Sequence, residues 1–516
     1  MSDPQSNGGA HRSDPELTQG ASGARRVHGA IVVLLSIGLV LAAYVWLVSV
    51  GSWTHWPSLT HTYDQLASAF LHGHLALELE PDPALLAVAN PYDPAARKGA
   101  PFPLDASLYR GKFYLYFGPI PALILAVAKL IAQAEIGDEY LVFAFISGLF
   151  VVQSLFALKI WRRFFQDVPL WSHGAGLLVL GLAAPSGWLL STPNVYSAAV
   201  MGGAFFFMAG LYSAFRALDA TSIHREGLVL AGVFWAAAVG SRITQAVPVI
   251  LLALLVCGEI LARQRKAGAV APSLRALLAL VLPLALGAAA LGWYNWARFG
   301  SVLESGISYQ LSGGFQEHRA ELFSPLYIVQ NLCNYLFAPA RLGYAFPYFK
   351  PIPGFRESVI PGIPLPKIYW SSPMAGLMCT APFVVFSSLN AIHAVQMLRR
   401  GSGGDPDQRS LTWITSALWT AFLSSFGVFL IFFWSAERYL GDFVPPLFLL
   451  SVMGFWQLGR ILTRGLPRRF LYLLLGIGLA GITILVSNLL AMAFNADGFR
   501  ALNPVLWRQL GNIFRP

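Results

Sequence analysis

Charge is what this chain has least of: Asp, Glu, Lys and Arg make up only 12% of its 516 residues, against 56% hydrophobic and 13% aromatic. A water-soluble globule carries about twice that share of charge, so the polar surface needed to cover one is missing. Cysteine is nearly absent as well. Cys257, Cys333 and Cys379 stand far apart with no CxxC pair, which excludes a disulfide framework and a zinc site of the usual spacing, and all three read as structural. Neither a fixed-period repeat nor the dyad alternation of an outer-membrane barrel is visible along the chain.

What the chain has instead is a series of long apolar runs. A helix needs about 20 apolar residues to cross about 30 Å of hydrocarbon. Such runs lie near 28–50, 139–160, 171–190, 193–215, 245–262, 272–295, 373–396, 411–434, 442–462 and 469–492, with a shorter one at 227–241. The net charge of +10 does not imply nucleic acid, because the basic residues gather at the ends of these runs. The first 24 residues, rich in Ser, Gly, Asp and Pro, read as a disordered tail. Arg25 and Arg26 then precede a run too long for a signal-peptide core, which makes it an uncleaved first span.

The run from Tyr114 to Gln133 is restarted by Pro119 and Pro121 and interrupted by Lys129, leaving the length of an interfacial segment. If it lies flat, "KIWRRF" (159–164), "ARQRK" (262–266), "MLRRG" (397–401) and "RGLPRR" (464–469) all share the side of Arg25 and Arg26, the cytoplasmic side by the positive-inside rule. The expected architecture is an all-α polytopic membrane protein of about 11 spans. Residues 1–27 form a cytoplasmic tail, 28–492 the membrane domain with long outer loops at 51–138 and 296–372, and 493–516 an outer tail.

The chemistry-bearing residues cluster on the outer side. A helix starting near Thr62 carries Asp64, Ser68 and His72 on one face, a polar stripe expected to look outward from the membrane surface. Asp105 opens "DASLYRGKFYLYFGPIPA", a short hairpin about Arg110 and Gly111 that aims Arg110 and Lys112 at headgroup level, where a basic pair suits a phosphate or pyrophosphate. Arg242 sits at a tight turn between spans. Asn295, Arg298 and Glu304 lie at and past the end of another span, and Glu437, Arg438, Tyr439 and Asp442 between two more. Charge so near hydrocarbon is expensive and therefore suspect, although Glu437 with Arg438, or Arg438 with Asp442, can neutralise one another. The second outer loop adds an apolar segment, Leu322 to Phe337, that reads as a membrane anchor, with His318 and Arg319 within reach of the site.

An early Asp in "YDQLASAFLHGHL" followed by "LYRGKFYLYFGPIPALIL" resembles the integral-membrane glycosyltransferases of the GT-C superfamily, in a bacterial branch. "STPNVYSAAVMGGAFFF", "VGSRITQAVP", "WYNWARFGSVLESG" and "ERYLGDFVPPLFLL" extend the likeness from about His28 to the end of the run at 442–462. Where the family places an Asp-Glu pair this chain has Asp64 followed by Gln65, and Lys112, Pro119 and Pro121 stand in for a compact KPP. The resemblance implies a polyprenyl-phosphate-linked sugar as donor, an acceptor that is glycan, lipid or protein, and transfer with inversion at the outer face of a bacterial cytoplasmic (inner) membrane. It casts Asp64 as general base and Arg110, Lys112, Arg242, Arg298 and Arg438 as cations for the departing phosphate, with His72, Asp105, Asn295, Glu304 and Tyr439 as further candidates. Some relatives hold a divalent ion in the first loop, for which Glu78 or Asp105 offers a second carboxylate, but no metal site is assigned. The competing classes are a lipid-sugar flippase and a non-catalytic scaffold of the same fold. Charge gathered at one face, and not at mid-membrane, favours the enzyme.

Overall fold

The computed structural model describes residues 15–513 apart from 104, 219–221, 267–269, 313–314, 401–404 and 463–464. It is a bundle of helices with four two-stranded ladders among its described residues, all in the connections. Eight helices are long and apolar enough to cross a membrane: Val27–Val48, Asp138–Phe164, Val195–Ala217, Ile243–Gln264, Ser273–Phe299, Pro406–Leu430, Glu437–Leu462 and Leu466–Phe494. The chain is a multi-pass integral membrane protein.

Eight of the expected spans thus form as single long helices, a ninth as one shorter helix, and two are broken. The run at 171–190 is cut into Leu170–Leu182 and Ser186–Ser191 around Pro185, which has no N–H to continue a helix. The run at 373–396 is a short strand, a turn of helix at Leu377–Thr380 and a 3-10 turn at Pro382–Phe386 before the helix Ser387–Arg400. The short run at 227–241 is the 17-residue helix Arg225–Ser241. The first helix runs Pro15–Val48, so residues 15–27 are helical where a disordered tail was expected, and residues 1–14 of that tail lie outside the described ones. At the other terminus, Ala496–Leu502 and Pro504–Asn512 are short helices, and Trp507 packs edge-on to Phe346.

Burial orders the bundle. Throughout its most apolar window the helix Glu437–Leu462 is buried, placing it at the centre, while Leu34, Leu35 and Leu39 of the first helix and Leu278, Leu282 and Leu286 of Ser273–Phe299 point outward as lipid-facing residues do. At one end of the bundle Arg163 pairs with Asp407 at 2.8 Å, Arg460 with Asp167 at 2.8 Å and Arg409 with Glu259 at 3.2 Å. Both long connections gather at the opposite end.

There the surface helix Thr62–Leu71 packs against the 13-residue helix Ile120–Ala132. Between them lies the hairpin Ser107–Tyr109 with Lys112–Tyr114, in register Tyr109 to Lys112. Its two turn residues, Arg110 (φ 49°) and Gly111 (φ 71°), both take the left-handed conformation that a two-residue hairpin requires. Gly118 leads out of the hairpin so close to the end of Arg225–Ser241 that a Cβ there would stand 1.9 Å from the Gly240 carbonyl. Only glycine permits that approach, which brings Arg242 beneath the hairpin.

Candidate functional site

A cavity of about 690 Å³ opens at this end, walled by both long connections and by the tips of the central helices. Seven of the sequence candidates meet on its wall: Asp105, Arg242, Asn295, Arg298, His318, Arg438 and Tyr439. Their surroundings differ.

Asp105 is the carboxylate of that wall, held by pairing between the two loops. Its backbone N–H donates to the Leu311 carbonyl at 3.2 Å, Leu311 N–H returns a bond to Ala106 at 2.8 Å, and Ser107 bridges to Gln310. The residue sits at φ 61°, a conformation that Asp tolerates better than most. The Tyr196 hydroxyl donates to Asp105 Oδ2. Tyr196 itself stands in the first turn of Val195–Ala217, whose start is fixed by the Asn194 side chain accepting from Ser197 N–H at 3.0 Å. Burial raises the Asp105 carboxyl above its ordinary range, and the Tyr196 hydrogen bond and the Arg438 charge offset part of that.

Arg438 is the cation left over. Its guanidinium lies 5.1 Å from the ring centroids of each of Tyr196, Trp434 and Tyr439 and reaches the Tyr439 hydroxyl at 3.4 Å. No carboxylate pairs with it among the described residues. Neither expected neutralising pair forms, because Asp442 is taken by Arg242 through two contacts of 3.3 Å, and Glu437 accepts from the Ala375 N–H at 3.0 Å. Arg298 is spent on structure: it donates to the Leu115 carbonyl at 2.7 Å and to Asn295 Oδ1 at 2.9 Å, tying the hairpin to the end of Ser273–Phe299. Asn295 in turn donates to the Val302 carbonyl at 3.2 Å.

The other candidates lie off the cavity wall. Arg110 and Lys112 are exposed at the hairpin tip, where Arg110 stacks on Tyr109. His72 faces Glu78 at 2.7 Å, and Glu304 caps the backbone of Gly306 and Ser308. Asp64 faces a partner, not water: Oδ1 accepts from Lys129 Nζ at 2.6 Å and from Ile136 N–H at 2.9 Å, while Lys129 also donates to Ser68 at 2.7 Å. The polar stripe of Thr62–Leu71 is therefore turned toward Ile120–Ala132, because a lysine in an apolar interfacial helix needs a carboxylate more than the stripe needs solvent. Asp64, Glu78 and Asp105, the carboxylates offered for a divalent ion, have three different partners in Lys129, His72 and Tyr196 and form no common ion site.

Breaking the Asp64–Lys129 pair has a predictable cost. Removing one partner of a buried ion pair destabilises by about 3 kcal/mol, because the other charge is left without compensation. Lys129→Met is expected to lower the thermal unfolding midpoint in detergent, and the double change Asp64→Leu/Lys129→Met to recover most of the loss. A single change without effect on the midpoint contradicts the pairing.

A second cavity, also about 690 Å³, adjoins the first at Leu291 and is almost wholly apolar. Leu123, Val233, Leu282, Leu286 and Trp293 line it between the helices Ile120–Ala132, Arg225–Ser241 and Ser273–Phe299, with Phe70 of the surface helix at its edge. Sequence reasoning did not find this groove, nor Tyr196, Lys129, Trp370 or Trp434. Lys129 was flagged only as an interruption, whereas a charge within an apolar helix is itself a sign of a distant partner.

The fold recurs in a solved structure. The oligosaccharyltransferase of Archaeoglobus fulgidus in its apo form superposes with a TM-score of 0.50 at 13% identity, over 90% of this chain and 56% of the archaeal one. The two chains share a fold, in this chain a helical bundle with its long connections gathered at one end. ArnT from Cupriavidus metallidurans, crystallised with undecaprenyl phosphate, matches with a TM-score of 0.42 at 12% identity, over 93% of this chain and 78% of ArnT. The chain spans about half the length of the archaeal enzyme it matches. No family model and no curated protein matches the sequence.

Proposed function

We propose that this protein is a membrane glycosyltransferase that moves a sugar from a polyprenyl-phosphate-linked donor to an acceptor hydroxyl at the outer face of the membrane. One observation carries the reading: a carboxylate and an unpaired guanidinium share a cavity that continues into an apolar groove. The groove takes the prenyl chain, whose burial needs only apolar walls. The acceptor oxygen attacks the anomeric carbon, Asp105 accepts its proton, and the bond from that carbon to the phosphate oxygen breaks with the electron pair leaving on the lipid phosphate. Arg438 stabilises the charge that develops there, more strongly than in water because the site is largely desolvated. Arg242, neutralised by Asp442, and Arg298, held by carbonyls, shape the wall. The base role expected for Asp64 passes to Asp105 in this reading, and Asp64 positions the two interfacial helices beside the groove.

The pH dependence of transfer tests the assignment. A base works deprotonated, so kcat/KM rises with pH through the raised Asp105 value, and its acid limb lies above the about 3.9 of a free aspartate. Stability runs the other way: a carboxyl raised in the folded state contributes most below its unfolded value, and that contribution is lost as pH rises through the folded one. A wild-type kcat/KM that stays flat down to about pH 4 argues against Asp105 as the base.

A further inference from the structure

Trp370 and Trp434 are register partners in a short parallel ladder, Trp370–Ser371 against Trp434–Ser435, which joins the second long connection to the segment after the helix Pro406–Leu430. Directly paired residues of parallel strands project to the same side, so the two indoles leave the same face of the ladder. Both line the cavity that holds Asp105 and Arg438. The ladder is fixed on each side: Trp370 N–H donates to the Phe433 carbonyl at 3.0 Å, Ser372 N–H to Ser435 at 2.9 Å, and the Trp434 indole N–H to Ser372 Oγ at 2.8 Å. Below it, Asn334 donates to Tyr369 at 2.9 Å and to Ser435 at 3.1 Å. A roof tied this way holds its aromatic rings at a set distance from the rest of the site.

Trp370 is nonetheless 46% exposed. The Arg356 guanidinium covers one face of its ring at 3.6 Å from the centroid, anchored through Nε to the Ser371 carbonyl at 3.1 Å, which leaves the other face for the cavity. An indole face left open to a cavity is a surface that a ligand with an apolar face can cover. Through Trp434 the platform reaches Arg438 at 5.1 Å, Arg438 reaches Tyr196 at 5.1 Å, and Tyr196 bonds to Asp105. One continuous wall therefore runs from indole to guanidinium to base.

We infer that Trp370 and Trp434 form the acceptor subsite and that the acceptor is a carbohydrate. This rests on the transferase reading above. A pyranose is the ligand class whose chemistry matches the wall: its C–H face is apolar and stacks on an indole, while its rim of hydroxyls turns toward polar groups such as Lys367 and Asp105 on the same cavity. A sugar lying flat on the platform presents a rim hydroxyl toward the base and holds it there against rotation, which is what a deprotonation in the transition state requires. Aromatic and prolyl side chains of a peptide also stack on an indole, but they lack the rim of several hydroxyls that would meet Lys367 and Asp105 at the same time.

The test is binding, separate from turnover. Purified wild type, Trp370→Ala, Trp370→Phe and Trp434→Ala are examined in detergent by saturation-transfer NMR against short neutral oligosaccharides and short neutral peptides, and in parallel for binding of undecaprenyl phosphate. The wild type is expected to bind oligosaccharide and not peptide. Trp370→Ala and Trp434→Ala should weaken oligosaccharide binding about tenfold, Trp370→Phe should retain most of it, and the wild type and both Trp370 variants should bind undecaprenyl phosphate alike. Oligosaccharide binding that is absent from the wild type, or unchanged in Trp370→Ala, overturns the inference, as does peptide binding that depends on Trp370. Failure of the wild type to bind undecaprenyl phosphate is a different result: it removes the donor reading, and the acceptor subsite falls with it.

Discussion

Asp105→Asn is expected to abolish transfer, by about a hundred- to ten-thousandfold in kcat, while the protein still folds and still binds the lipid phosphate. The amide keeps the size of the carboxyl and can still accept the Tyr196 hydrogen bond, so the pairing of Ala106 with Leu311 that holds the two connections together survives. What is lost is the acceptor for the hydroxyl proton. Because burial holds the native carboxyl above its ordinary value, its ionised form is costly near neutral pH, and the neutral amide should leave stability unchanged or slightly raised there. Reduced transfer together with an undiminished unfolding midpoint is the combined signature. A variant that loses activity only because it fails to fold lowers both.

Arg438→Gln is expected to show the same divergence for a different reason. A half-buried guanidinium without a carboxylate partner is a liability to the fold, because three aromatic rings compensate its desolvation only in part. Removing it should cost the fold little. Transfer, in contrast, should fall about a hundred- to a thousandfold, the usual loss when a donor to a developing oxyanion is taken away. Arg438→Lys should recover only part of this, because an ammonium keeps the charge but neither spans the aromatic cage nor offers a forked contact to phosphate. Arg242 provides the control. Arg242→Gln strips a buried carboxylate, Asp442, of its partner and is expected to destabilise the bundle first and reduce transfer as a consequence. Thermal unfolding and single-turnover transfer, measured on the same preparations, separate the two kinds of arginine.

The contrast between these arginines marks where sequence reasoning stopped. Hydropathy located the eight long helices because each carries its own evidence within one window, and it failed at 171–190 and 373–396 because a window averages over the prolines that break them. The hairpin at Arg110–Gly111 was legible for the same local reason. Seven of the residues named from the sequence line one cavity. Their division of labour was not legible. Whether Arg438 or Arg242 is left free depends on Asp442, which lies 4 residues from one and 200 from the other and pairs with the distant one. Asp64 drew attention through its place in a surface helix, but Lys129, which orients it, is 65 residues away. The indole pair arises from a two-residue parallel ladder between segments with no local pattern to announce it. Local chemistry was visible and long-range pairing was not, and in this protein pairing separates groups that hold the fold from groups left to act.

The most direct test of this account is transfer of radiolabelled sugar from a panel of polyprenyl-phosphate sugars in membranes containing wild type, Asp105→Asn or Asp64→Asn at matched expression. The account predicts that the wild type transfers from at least one donor, that Asp105→Asn transfers none, and that Asp64→Asn keeps substantial activity per folded molecule. Full activity in Asp105→Asn with none in Asp64→Asn would return the base to the surface helix and contradict the site described here, and no transfer from any donor by the wild type would contradict the function.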